Sequence, residues 1–173
     1  MPKLKVIRGK VWKFGDNITT TDISPREMFS GVPWVPSEIV FAAIRPDWKT
    51  KIKPGDCIVA GENFGFGSHR PAANSVMKDL EIGCIVADSV ARLYYRTAIA
   101  TGFLAFPCPG VSKIFNEGDE LELDVNKGLV KNITTGESIQ GKPYPPPLLE
   151  ILESGGLMPL LVERAQKLSK PSV

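Results

Sequence analysis

The chain is poor in the residues that build metal and disulfide scaffolds. It has one histidine and three cysteines among 173 residues. Cys57, Cys84 and Cys108 are odd in number, widely spaced and set mostly in apolar runs, so they fit neither a disulfide framework nor a CxxC-type metal site. They read as buried small hydrophobes. An excess of one charge is lacking too: 21 Lys and Arg against 19 Asp and Glu leave a net charge of +2. With both signs interspersed, this favours neither nucleic acid nor an anionic membrane as a partner. No apolar run reaches the roughly 18 residues of a membrane span. The opening Met1-Pro2-Lys3-Leu4-Lys5 leads into alternating residues rather than the apolar core of a secretory signal. A cytoplasmic location follows. Internal repeats and low-complexity segments are also missing.

What is present is an ordinary globular composition, 43% apolar and 23% charged, in a length that supports one full core. We expect a single domain over residues 1–173, with 169–173 as a frayed tail. Residues 4–14 read as a strand pair or one bent strand broken at Gly9. A dense polar loop follows, Gly15-Asp16-Asn17-Ile18-Thr19-Thr20-Thr21-Asp22-Ile23-Ser24-Pro25. It is either plain turn and capping chemistry or a pocket lining. Pro25, Pro33, Pro36 and Pro46 then punctuate a long connection with one short helical candidate, 37–44, capped by Ser37.

From Cys57 the pattern is regular. The apolar strand 57–60 leads into a glycine loop, a helix over 71–80 and the apolar strand 84–87. A second helix, capped by Asp88 or Ser89 and stopped by Gly102, runs into a third apolar segment, 103–106. This βαβαβ order predicts an α/β fold with a parallel sheet, whose ligands sit at the carboxyl ends of the strands. Residues 119–124 and 129–133 read as a β-hairpin, with a further strand at 137–140. A proline-rich joint at 143–147 precedes a C-terminal helical segment broken at Gly155-Gly156.

The glycine loop, Gly61-Glu62-Asn63-Phe64-Gly65-Phe66-Gly67-Ser68-His69-Arg70-Pro71, is the stretch around which the rest is organised. Three glycines in seven residues permit a sharp turn and close approach to a ligand, and Pro71 suits the first helical position. Free amides and the positive dipole end of the helix gather beside the Ser68 hydroxyl, the His69 imidazole and the Arg70 guanidinium. A small carboxylate or phosphate is the expected guest. Commoner glycine motifs fail: a dinucleotide fingerprint needs glycine at Arg70, a P-loop needs Gly-Lys-Ser/Thr, and a nucleophile elbow needs a residue between Gly67 and Ser68. The bland alternative is a tight turn with a helix cap.

The run Asn63-Phe64-Gly65-Phe66-Gly67-Ser68-His69-Arg70 resembles the NFGxGSSRE signature of the small subunits of 3-isopropylmalate dehydratase and homoaconitase, the aconitase swivel domain. Three further stretches agree in order. Gly15 to Asp22 resembles the GDxxxTD opening loop, Gly55 to Gly61 the GDVIVAG strand, and Ala91 to Ala98 the ARIFYRNA helix. The resemblance implies a single swivelling β/β/α-type domain that completes the active site of a large subunit. It implies a four-iron four-sulfur cluster on that partner, in a heterodimer or heterotetramer, and no metal on this chain. It also implies dehydration and rehydration of a hydroxy di- or tricarboxylic acid, with 3-isopropylmalate in leucine biosynthesis the leading case.

By the same resemblance Ser68 maps onto the serine that removes a proton as an alkoxide, and Arg70 onto the carboxylate clamp. His69 and the Gly65 and Gly67 amides form the supporting shell, and Asp22 and Ser24 are second-loop contributors. Two departures stand out: His69 replaces the second serine and Pro71 the glutamate. They leave room for homoaconitate, a dimethylmalate or a methylmalate as substrate. The loop to which the family's substrate choice is attributed corresponds to 29–36, where Trp34 and Val35 suggest an apolar wall. A different class of reading is a partnerless carboxylate-binding or regulatory module.

Overall fold

The computed structural model describes residues 6–25, 39–68 and 71–169. The Ser37 cap, the 29–36 wall, His69, Arg70 and the last four residues lie outside them. The first strand, β1 (Ile7–Lys13), is one element that changes partner along its length. Its first half pairs antiparallel with β5 (Glu120–Asp124), Gly9 opposite Leu121, and its second half pairs parallel with β2 (Cys57–Ala60), Val11 opposite Cys57. Gly9 permits the change, because a Cβ there would overlap the carbonyl oxygen of Gly55. The bent strand was legible; its two partners were not.

One seven-stranded sheet results, in the order β4-β3-β2-β1-β5-β6-β7. On one side lie β3 (Cys84–Ala87) and β4 (Ala105–Pro107), parallel to β2, with Cys57 opposite Cys84. On the other, β6 (Leu129–Asn132) and β7 (Ser138–Gln140) extend β5 as antiparallel neighbours.

Strand alternation sorts the central residues onto two cores. Trp12, Phe14, Ile58, Ala60, Ile85 and Ala87 join one, with Ala73, Val76 and Met77 of α3 (Pro71–Asp79). Val11, Cys57, Val59, Cys84 and Val86 join the other, with Leu121, Leu123 and Val130 of the antiparallel strands. Burial on both faces explains why 57–60 and 84–87 are continuous apolar runs. The helix α4 (Arg92–Thr101) serves both cores, sending Tyr94 and Ala98 to the first and Ile99 to the second.

Several local expectations are corrected. Residues 40–44 form turns rather than an α-helix, because Phe41 takes φ +57°, outside the helical basin, while its carbonyl accepts from the Ile44 and Arg45 amides. Phe41 is fully buried against Phe14 and Trp48, so packing overrides local preference. Asp88 and Ser89 do not cap α4, whose N-cap is Ala91 with no side-chain bond. Instead Asp88 takes the amide and hydroxyl of Ser112 in the short α5 (Val111–Ile114), and Ser89 Oγ accepts from the Asn63 amide. Gly102 does end α4, at φ +73°.

The remaining short helices are α1 (Thr20–Ile23) and α2 (Trp48–Lys51); the chain closes on α6 (Pro146–Glu153) and α7 (Leu157–Leu168), separated at Gly155-Gly156. Ser169 is the C-cap of α7, its amide bonded to the Ala165 carbonyl. All three cysteines are free and buried. Cys84 Sγ donates to Cys57 Sγ at 3.6 Å, which together with burial holds the Cys84 thiol well above its ordinary range. Burial, and the charge of Asp88, push Cys108 up to about 11. They are small hydrophobes, as read. Among the described residues no helix is long and apolar enough to cross a membrane.

Candidate active site

Because β1, β2 and β3 run parallel, the loops that leave their carboxyl ends meet at one edge of the sheet. The glycine loop leaves β2 between the polar loop that follows β1 and the turn that follows β3. It is tied to the first by a chain of backbone bonds. Gly61 N donates to Gly15 O at 3.2 Å, Asn17 N to Glu62 O at 2.7 Å, Gly65 N to Ile18 O at 2.7 Å and Thr20 N to Phe66 O at 2.8 Å. It is tied to the second by Phe64 N to Ser89 O at 3.0 Å and Ala91 N to Phe64 O at 2.8 Å. Side chains add Asp16 Oδ1, which accepts from Glu62 N at 2.8 Å, and Ser89 Oγ, which accepts from Asn63 N at 2.8 Å. A loop bonded on both flanks keeps its shape without a ligand.

The glycines are required for distinct reasons. A Cβ on Gly61 would overlap the Asp16 carboxylate, and one on Gly65, at φ +77°, would overlap the ring of Tyr94. Tyr94 lies beneath the loop, fully enclosed and edge-on to Phe64 with ring centroids 5.5 Å apart. Its hydroxyl is buried with no hydrogen-bond partner among the described residues, and burial drives its pKa far up. The phenol is therefore neutral, a platform rather than an acid. Gly67, at φ +110°, has room for a Cβ only within 3.3 Å of Thr20 Oγ1.

Ser68 stands exposed at the end of this loop, just before α3. Its carbonyl accepts a hydrogen bond from Thr20 Oγ1 at 3.0 Å, which clamps the serine to the first loop. Thr20 is in turn placed by the capping box of α1. Thr19 Oγ1 takes the Asp22 amide at 3.0 Å, and Asp22 Oδ2 takes the Thr19 amide at 2.7 Å and its hydroxyl at 2.6 Å. The polar loop is thus capping chemistry, and the capping holds the candidate base.

Of the residues singled out from the sequence, the structure brings Ser68, Gly65, Gly67 and the Asp22 loop together; His69 and Arg70 lie outside the described residues. The structure adds local bonds to several of these. The Gly65 amide donates to Ile18 O, and the Gly67 amide has no acceptor among the described residues. Asp22 Oδ2 serves Thr19, and Ser24 is buried with its amide bonded to Thr20 O at 2.9 Å. Thr20, Ser89 and Tyr94 were not anticipated. The only local signal for Thr20 was its place within a threonine run that reads as a cap.

The described residues do not fit an iron–sulfur cluster. All three thiols are buried, those of Cys84 and Cys108 held above their ordinary range, and among the described residues no three His, Cys, Asp or Glu side chains gather as metal ligands.

Residues 35–109 match the model of the aconitase C-terminal domain. The isopropylmalate/citramalate isomerase small subunit of Methanocaldococcus jannaschii is 45% identical over 92% of this chain and 95% of its own. The 3-isopropylmalate dehydratase small subunit 1 of Thermotoga maritima is 43% identical over 88% and 93%. A crystal structure of 3-isopropylmalate dehydratase from Methanocaldococcus jannaschii superposes with a TM-score of 0.87 at 33% identity, covering 95% of this chain and 98% of that one. With the glycine loop, its clamping loop and the curled sheet all on this pattern, the chain belongs to the family of 3-isopropylmalate dehydratase small subunits, which work beside a large catalytic subunit.

Proposed function

We propose that this chain interconverts 3-isopropylmalate and 2-isopropylmalate in leucine biosynthesis, as the cytoplasmic small subunit of a hydro-lyase, with Ser68 as its base. The observation that carries the assignment is the clamp from Thr20 Oγ1 to the Ser68 carbonyl at 3.0 Å. It presents an exposed serine in front of α3, on a loop whose shape is set by bonds on both sides. A serine hydroxyl is a feeble base at its ordinary pKa, so the site must stabilise negative charge on its oxygen. The Gly67 amide and the first-turn amides of α3, which have no intrahelical acceptors, are the donors suited to that task. Ser68 then takes the proton from the carbon beside a substrate carboxylate and returns it in the reverse step. Arg70 fits the task of gripping one carboxylate with its planar pair of donors, holding that carbon within reach; His69 borders the same substrate.

The four-iron four-sulfur cluster implied by the family belongs to the large subunit and supplies the Lewis acid that the departing hydroxyl needs. The small subunit is therefore inactive alone and works within a heterodimer or heterotetramer. Ser68→Ala in the reconstituted enzyme is expected to abolish turnover and leave subunit association and melting temperature unchanged. Turnover retained by that variant would remove Ser68 from the chemistry.

A second substrate is favoured by a specific observation: the Methanocaldococcus jannaschii relative is named for isopropylmalate and citramalate together, and His69 and Pro71 depart from the usual signature. A panel of 3-isopropylmalate, citramalate, a dimethylmalate and homoaconitate, compared by kcat/KM, decides which acid the site prefers.

A further inference from the structure

The face made by α4, α6 and α7 is apolar and open, and none of its side chains is assigned a part in the chemistry above. Tyr95, Ile99 and Ala100 of α4, Leu148 and Ile151 of α6 and Leu157 of α7 line a groove of about 470 Å³. The groove runs on along α7. Leu161 lies one turn beyond Leu157 on the same side of the helix, and Leu168 three turns beyond; they are 47% and 87% exposed. Most globular helices bury such a stripe. Here the only α7 residue buried in the fold is Leu160.

The charges around the groove decide what can cover it. Arg92 and Arg96 complete its lining, and among the described residues neither has a carboxylate partner. Among the described residues no acid lines the groove. Of the acids on α6 and α7, Glu150 holds Arg164 at 2.7 Å and Glu163 holds Lys167 at 2.7 Å, and Glu153 stands outside the groove's lining. A second copy of this chain meeting the same face across a two-fold axis would bring unpaired arginines against arginines. A partner with carboxylates set among apolar side chains would satisfy both features. The N-terminal end of the face also borders the active site, since the turn from β3 into α4 is bonded to the loop that carries Ser68: Ala91 N donates to Phe64 O, and Tyr94 supports Gly65. A subunit that covers Ser68 reaches α4 first.

We propose that this face docks an acidic, apolar segment of the large iron–sulfur subunit, with Arg92 and Arg96 pairing its carboxylates and Leu157 and Leu161 taking its apolar side chains. The inference rests on the small-subunit reading above. It assigns affinity between the subunits to a surface that takes no part in the reaction.

The test uses the full chain and the large subunit recovered with it from its own cells without oxygen, with the dissociation constant measured by titration calorimetry. R92E/R96E is expected to weaken association at least 30-fold, R92K/R96K to stay within about threefold of the wild type, and Leu161→Asp to weaken it about tenfold. Turnover should return to the wild-type value when the variant small subunit is supplied in excess, because neither arginine touches the reacting groups. All three sites are surface positions, and unchanged melting temperatures confirm folding. Wild-type affinity in R92E/R96E and Leu161→Asp would overturn the docking face and leave the small-subunit reading intact. Failure of the wild-type chain to bind the large subunit would overturn both. A self-association of the isolated chain, abolished by the same substitutions while affinity for the large subunit is unchanged, would assign the face to a second copy and overturn the proposal.

Discussion

The two wings of the sheet use opposite kinds of connection. In the parallel wing, the loops that follow β1, β2 and β3 are bonded to one another, and Thr20 of the first holds the Ser68 carbonyl of the second. In the antiparallel wing, β5, β6 and β7 are joined by tight turns, and the polar groups there serve only the fold. Asn132 is the clearest example. Fully buried, it donates to Ile114 O at 2.8 Å and Asp119 Oδ2 at 2.7 Å, and accepts from the amides of Thr134 and Thr135. Parallel strands need long crossovers, so their loops are free to carry chemistry, whereas a hairpin turn must close its own ladder. One wing is built around a reaction and the other around stability.

Substitutions can break this division. Gly65→Ala drives a methyl into the Tyr94 ring at a left-handed φ, so the loop must shift, and turnover of the reconstituted enzyme should fall at least ~100-fold. Gly136→Ala, also at positive φ but with open space around it, should cost about 1 kcal/mol and leave kcat unchanged. Equal losses of activity in both would erase the distinction. Next in size, Asn132→Ala should destabilise by about 2–4 kcal/mol in urea unfolding, because it strands several buried groups, with kcat per folded molecule unaltered.

A smaller effect sharpens the same comparison from the active side. Thr20→Val removes the hydroxyl bonded to the Ser68 carbonyl, and kcat should drop about fivefold for about 1 kcal/mol of lost positioning, with KM little changed. The smallest effect is in the hairpin. The Lys127 amide, 3.0 Å from Asp124 Oδ1, and the Lys127 ammonium hold the Asp124 carboxyl below its usual range. A depressed folded pKa stabilises above the unfolded value and is lost as pH falls through the folded one. Asp124→Asn should therefore lower the melting temperature slightly at pH 7, and the difference should fade once the pH drops below about 4.

Much of the parallel wing was legible. Apolar runs bounded by glycine and proline located β2, β3 and β4, and the helical patterns at 71–80 and after 88 located α3 and α4, because strands buried on both faces and helices facing a sheet leave distinct periodicities. The misreadings share one cause. Asp88 and Ser89 look like caps for the next helix but bond to residues 24 and 26 positions away, and the 37–44 pattern lost to the burial of Phe41 between Phe14 and Trp48. A polar side chain near a helix start is read as local until the fold offers it a distant partner.

The sequence by itself determined the α/β order of elements, the glycine loop with Ser68 at its end, and the family those motifs resemble, since each rests on residues within a few positions of one another. Only the tertiary structure decided what the loop leans on. Thr20 reaches Ser68 across 48 residues, and Tyr94 lies under Gly65 across 29 positions of chain that include a strand and a helix. Such contacts depend on which strands become neighbours, and β1 next to β2 is a consequence of the whole sheet closing its cores rather than of any local preference.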